Sequence, residues 1–150
     1  MRPKLEYSSC VWDPHNKNQI NQLEMVQRRA ARYTCNQYHN TSSVSDMLQQ
    51  LQWPTLQLRR IQTRLVVFYK IVHHQLAIYP TELLIPSDSR TRHKHIYYYK
   101  QIQTNKDSYK FSFYPRTIIQ WNMLPTSAVL CTTVEDFKEQ IPVSAVSHLI

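Results

Sequence analysis

The chain has 150 residues, 18 lysines and arginines against 10 acidic residues, a formal charge of +8 at pH 7, and no glycine. That length suits one domain that buries roughly two thirds of its unfolded surface without staples, and Cys10, Cys35 and Cys131 are too few and too far apart for a disulfide framework. Without glycine there is neither a phosphate-cradling loop nor a Gly-x-Ser-x-Gly elbow, and no apolar run approaches the roughly 20 residues that span a bilayer.

Read in order, Met1 to Trp12 is expected to be a short helix with Leu5, Ser8, Ser9 and Trp12 on its apolar side, although the alternation of Leu5, Tyr7, Ser9 and Val11 also suits a strand. Asp13-Pro14 then opens a longer helix through Tyr33, with Asp13 as its cap. Ile20, Leu23, Val26, Ala30 and Tyr33 gather on one side of it, and Arg28, Arg29 and Arg32 on the other. Ser43 with Asp46 three residues later makes a capping box for a short helix whose buried stripe is Val44, Met47, Leu48 and Leu51. Trp53-Pro54 ends it, and Thr55 caps a third helix to about His74. That helix carries Leu58, Ile61, Leu65, Phe68 and Val72 as its stripe, with Arg59, Arg60, Arg64 and Lys70 outside it.

Glu82 to Ile85 allows one turn, and residues 86–95 read as a polar loop. Ile96 to Tyr114 alternates tyrosine, isoleucine and lysine around Thr104-Asn105-Lys106-Asp107, which predicts a β-hairpin. Pro115 to Asn122 returns to a helical pattern, and Thr133 with Asp136 caps a last helix holding Val134, Phe137 and Ile141. The expected fold is mainly α, a small single helical domain with one short hairpin in its C-terminal half: helices over residues 1–85, a loop over 86–95, and the hairpin with short helices over 96–150. Trp12, Trp53 and Trp121 are its expected anchors. Each turn that needs positive φ must use Asn, Asp, His or a strained residue, where average usage near 7% would supply about ten glycines.

Residues 1–75 carry 10 basic and 4 acidic groups, and residues 76–150 carry 8 and 6. A surplus in the helical half favours polyanions through counterion release. The five aspartates, Asp13, Asp46, Asp88, Asp107 and Asp136, include no adjacent pair for a two-metal centre. Cys35 with His39 and Cys10 with His15 lack the Cys-x2-Cys partner of a structural zinc site. No metal and no cofactor is therefore expected. His73-His74 and His93-x-His95 are short histidine clusters, and exposed surface histidines are their plainer reading. Tyr97-Tyr98-Tyr99-Lys100 and Tyr109-Lys110-Phe111 have the composition of a base-stacking platform, and equally that of a hairpin with one aromatic face in the core.

Four segments in register resemble one known pattern. Arg2-Pro3-Lys4-Leu5-Glu6-Tyr7-Ser8-Ser9-Cys10-Val11-Trp12-Asp13-Pro14 resembles the "RP-x-LEYAS-x-VWDP" stretch downstream of the catalytic palm in reverse transcriptases of non-long-terminal-repeat, jockey-like retrotransposons. Leu23-Glu24 through Arg32 resembles the family's "LE-x-VQRRAAR", and Met47-Leu48 through Arg59-Arg60, with Trp53 between, resembles "ML-x-x-L-x-W-x-x-L-x-x-RR". Ser112-Phe113-Tyr114-Pro115-Arg116-Thr117-Ile118 with Trp121-Asn122 and Leu124-Pro125 is similar to "SFFPRTI-x-x-WN-x-LP". Gln52, His74 and Lys94 stand where the related turns tend to carry glycine. The resemblance implies a region beyond the polymerase palm, with no catalytic residues of its own.

The resulting expectation is a non-catalytic fragment of an RNA-directed DNA polymerase, intracellular and either nuclear or cytoplasmic, without membrane association. Its expected partners are RNA or DNA, held without sequence preference by the phosphates on Arg28, Arg29, Arg32, Arg59, Arg60 and Arg64, and the polymerase core of the parent element. Trp12, Trp53, Phe113, Arg116, Trp121 and Asn122 are implied to be structural. The alternatives are a protein-interaction module that uses its arginines for carboxylates, and a translated remnant of such an element.

Overall fold

The computed structural model describes residues 5–39, 41–87 and 95–141, and within them the chain is mainly α-helical. Arg2-Pro3-Lys4 and most of the 86–95 loop, His93 and Lys94 included, lie outside the described residues. Eight helices are described: α1 Ser9–Trp12, α2 Lys17–Cys35, α3 Val44–Gln50, α4 Leu56–Val72, α5 Asp107–Lys110, α6 Phe113–Asn122, α7 Thr126–Val129 and α8 Val134–Gln140. Two compact units divide between Arg60 and Ile61, inside α4.

Local signals set most of the helix ends. Ser43 Oγ accepts from the Asp46 N–H at 3.3 Å, Thr55 Oγ1 from Leu58 at 3.3 Å and Thr133 Oγ1 from Asp136 at 3.1 Å, as capping chemistry requires. The cap of α2 is Asn16, whose Oδ1 accepts from the Asn18 N–H at 3.0 Å. Asp13, the expected cap, instead faces Arg60.

The helix C-termini show how a chain without glycine turns. Asn36, Gln52 and His74 hold φ at 51°, 51° and 54° behind α2, α3 and α4. Each is followed by a residue whose N–H reaches back five positions, Gln37 to Arg32 at 3.1 Å, Trp53 to Leu48 at 2.8 Å and Gln75 to Lys70 at 2.8 Å. These are Schellman closures. Asparagine enters the left-handed region readily and histidine more often than most residues, although its Cβ still crowds the following carbonyl, and glutamine has no such preference.

In the first unit α2 packs against α3, and Ala31, Met47, Leu56 and Leu58 are buried. Tyr33, expected on the apolar side of α2, is 78% exposed, while Gln27 is buried in its place. The reason is a bond that periodicity does not see: Gln27 Nε2 donates to the Pro54 carbonyl at 2.9 Å. Glu24 Oε1 likewise accepts from the Gln57 N–H at 2.9 Å, so two side chains of α2 hold the entry of α4. Trp12 is 41% exposed and Trp53 half-buried.

The second unit is built on rings. Phe68 lies 5.1 Å from Trp121 and 6.0 Å from Tyr99, centroid to centroid, and Tyr69 stacks on Phe137 at 4.5 Å. Trp121, Phe137, Ile118, Leu65 and Phe68 are fully buried, and burying side chains of this size contributes roughly 2 to 3 kcal/mol each. The expected hairpin does not form. Asp107–Lys110 closes into a helical turn and Phe113 starts α6, so the second strand has no residues left. The first keeps a single antiparallel bridge, Pro86 with Tyr99, and its other edge is taken by side chains. Trp121 Nε1 donates to the Tyr97 carbonyl at 2.9 Å, and Asn122 bonds both the N–H and the carbonyl of Tyr99, at 3.1 and 2.7 Å.

Candidate nucleic-acid interface

The six candidate arginines divide by burial. On α4, Arg60 is 3% and Arg64 is 1% exposed, although the periodicity places both outside the apolar stripe. The helix buries most of its circumference, so these two cations need internal partners. Arg60 Nη2 donates to the Leu5 carbonyl at 3.0 Å, Nη1 lies 3.5 Å from Asp13 Oδ1, and the guanidinium carbon sits 4.1 Å from the centroid of the Trp12 ring. Burial pulls this guanidinium below its ordinary pKa, and Asp13 opposes the shift. Arg64 Nη2 donates to Gln120 Oε1 at 2.6 Å. Arg59 pairs with Glu6.

The arginines of α2 are placed differently. Arg28 and Arg29 are exposed, Arg32 is half-buried, and none of the three makes an ion pair among the described residues. At 100° per residue, Arg28 and Arg32 fall on one strip, and Met25, Arg29 and Tyr33, spaced by four, fall on the next. Met25 is 45% and Tyr33 78% exposed, so the strip beside Arg28 and Arg32 presents a thioether and a phenol to solvent. Cations interleaved with exposed aromatic surface are the composition with which single-stranded polynucleotides are bound, phosphates on the guanidinium forks and bases on the rings.

No protein-family model, curated protein or solved structure matches the chain.

The segments that carry the resemblance are largely occupied inside the protein. Glu6, Asp13, Glu24 and Gln27 hold Arg59, Arg60 and the Pro54–Gln57 backbone, and Trp121 and Asn122 hold residues 97–99. Phe113 stands 6.4 Å from Phe68, centroid to centroid, and Arg116 is half-buried in α6. Tyr97 and Tyr99 are half-buried and pack on His73 and Phe68, so those rings are engaged within the second unit. Among the described residues no group of three His, Cys, Asp or Glu side chains could hold a metal ion, and no helix is long and apolar enough to cross a membrane. Gln120 and Gln27, the partners of buried polar groups, have no periodic or motif signal that distinguishes them in the sequence.

Proposed function

We propose that this chain is a non-catalytic module, similar to the region beyond the palm of non-long-terminal-repeat reverse transcriptases, that holds single-stranded RNA or DNA by its phosphates on Arg28, Arg29 and Arg32. The observation that carries this reading is the contrast within one set of arginines. Those of α4 are engaged by Glu6, Asp13 and Gln120, while those of α2 stay outward and unpaired among the described residues. Two exposed cations and a half-buried one, none in an ion pair among the described residues, are available to bidentate phosphate contacts, which depend on charge and not on base sequence.

The deciding experiment titrates single-stranded RNA against wild type and the Arg28→Ala, Arg29→Ala, Arg32→Ala variant at several salt concentrations. Each phosphate contact adds roughly 0.7 to the slope of log affinity against log salt, so the variant is expected to lose a slope of about 2 together with most of its affinity. Equal slopes in a folded variant would make α2 a solvated face only. Purified chain is expected not to extend a primer, and incorporation that stops when Mg²⁺ is chelated would reverse the non-catalytic reading.

A second reading, docking on a polymerase core, is favoured by Tyr7 and Val11, which stand 78% and 87% exposed at α1. Capture of a separately expressed palm domain that survives high salt and is lost in Val11→Asp would support it over phosphate binding.

A further inference from the structure

Beside α2 lies a hollow of about 290 Å³ whose walls include Val26, Ala30, Trp53, Gln27, Gln52 and Arg59. That volume is at the small end of ligand sites, with room for one planar group and not for a folded segment of a partner. Val26 and Ala30 make an apolar wall and Trp53 an aromatic one. Gln27 gives its Nε2 to the Pro54 carbonyl and keeps a buried Oε1 without a hydrogen-bond partner, while exposed Gln52 offers a whole carboxamide, donor and acceptor together.

Gln52 is also one of the strained positions, with φ at 51°. A glycine would make the same Schellman closure without crowding and would leave this wall of the hollow bare. Arg29 and Tyr33 border Val26 and Ala30 on the same side of α2, each about 60° round the helix from the apolar residue three positions before it, so a cationic and aromatic margin adjoins the hollow.

We propose that the hollow takes one unstacked nucleobase of a single-stranded polynucleotide, a site that deepens the phosphate-binding reading above and rests on it. The base lays its π-face on Trp53, and its donor and acceptor edge meets the Gln52 carboxamide, which offers one of each. The flanking phosphates reach Arg29. An aromatic side chain of a partner protein would fill the same volume but lacks the paired donor and acceptor edge that Gln52 meets, and the basic margin favours a polyanion over a neutral peptide.

The test uses the full chain with two probes of about 12 nucleotides, an oligouridylate and an abasic strand of the same length, read by fluorescence anisotropy. Wild type is expected to prefer the base-bearing strand by about tenfold, the scale of one base stacked on an aromatic side chain. Gln52→Gly, with its turn relaxed, is expected to melt at or above the wild-type temperature, to lose the part of that preference that its hydrogen bonds to the base edge supply, and to keep both its affinity for the abasic strand and its salt slope. Equal affinity of wild type for the two strands would overturn the base site and leave phosphate binding standing. Absence of binding to either strand would overturn both. Full preference in Gln52→Gly, or a Trp53 indole resonance that responds to an acidic tryptophan-containing peptide and not to the oligouridylate, would also overturn the base site.

Discussion

The guanidinium of Arg60 lies 4.1 Å from the centroid of the Trp12 ring, and the same guanidinium donates to the Leu5 carbonyl and faces Asp13. A lysine carries the charge but not the plane or the fork, so it cannot keep the stack on Trp12 and both oxygen contacts together. Arg60→Lys is therefore expected to cost about 1 to 3 kcal/mol of stability by chemical denaturation, with Trp12 fluorescence shifted. Affinity for single-stranded RNA should be unchanged, which separates this arginine from those of α2.

Trp121 supplies both bulk and a donor, since its ring is fully buried against Phe68 and Phe137 and its Nε1 reaches the Tyr97 carbonyl. Trp121→Ala is expected to lower stability by about 3 to 5 kcal/mol, while Trp121→Phe, which keeps most of the volume and loses the donor, should cost less. Thermal melts of the two variants give the difference, and equal losses would mean that the hydrogen bond carries the site.

Two histidines make stability depend on pH. His73 Nε2 lies 3.3 Å from the Val129 carbonyl and His95 Nε2 lies 3.3 Å from the Trp121 carbonyl, contacts that a neutral ring with its proton on Nε2 satisfies. Burial pushes both rings below the ordinary histidine value, against the opposing pull of those carbonyls. A second proton on His95 would sit on Nδ1, which is buried without a hydrogen-bond partner. The unfolded chain takes up protons as pH falls past about 6.5 while the folded chain resists, so the unfolded state then holds more protons. Stability is expected to be complete above about pH 6.5 and to decline below it. Melting temperatures between about pH 7.5 and 5, compared with those of His95→Gln, measure this, and a flat profile in wild type would refute it.

His74 ends α4 with φ at 54° and is exposed, so its side chain can be removed without opening the core. His74→Gly relieves the crowding and adds backbone entropy to the unfolded chain, and the first effect is the larger in the left-handed region. An increase of about 1 kcal/mol is expected, or roughly 2 to 4 °C in Tm. A fall in Tm would mean that the ring stacked 5.9 Å from Tyr79 contributes more than the backbone loses.

Much of the helical framework was legible because its signals are local. Leu58, Ile61, Leu65, Phe68 and Val72 recur at spacings of three and four and all five are buried, and the caps at Ser43 and Thr133 are satisfied within three residues. What periodicity hides is a polar side chain whose partner is distant in sequence. Arg64 reads as a surface cation until Gln120, 56 residues away, is seen to accept from it. Tyr97 to Lys100 read as half of a hairpin because strand preference reports a pleated, half-buried surface and does not say what completes its edge. Of the candidate interface, the arginines of α2 were legible as one face of a helix. The hollow was not, since its walls come from Leu5, α2, the 52–54 turn and Arg59 of α4.

That completed edge also bears on how the protein behaves when crowded with its own copies. Three consecutive tyrosines flanked by isoleucine and lysine form an extended stretch of the kind that recruits further strands when its backbone groups are open. Here Ser87 donates to the Tyr98 carbonyl and Lys100 to that of Ile85 on one side, each at 2.9 Å, while Trp121 and Asn122 occupy the other. One indole and one carboxamide thus act as a chain terminator, filling the places where the next strand would add. Loss of Asn122 would leave Tyr99 with an unsatisfied N–H and carbonyl side by side, and the first sign of that change would be fibril formation at high concentration, ahead of any loss of helix.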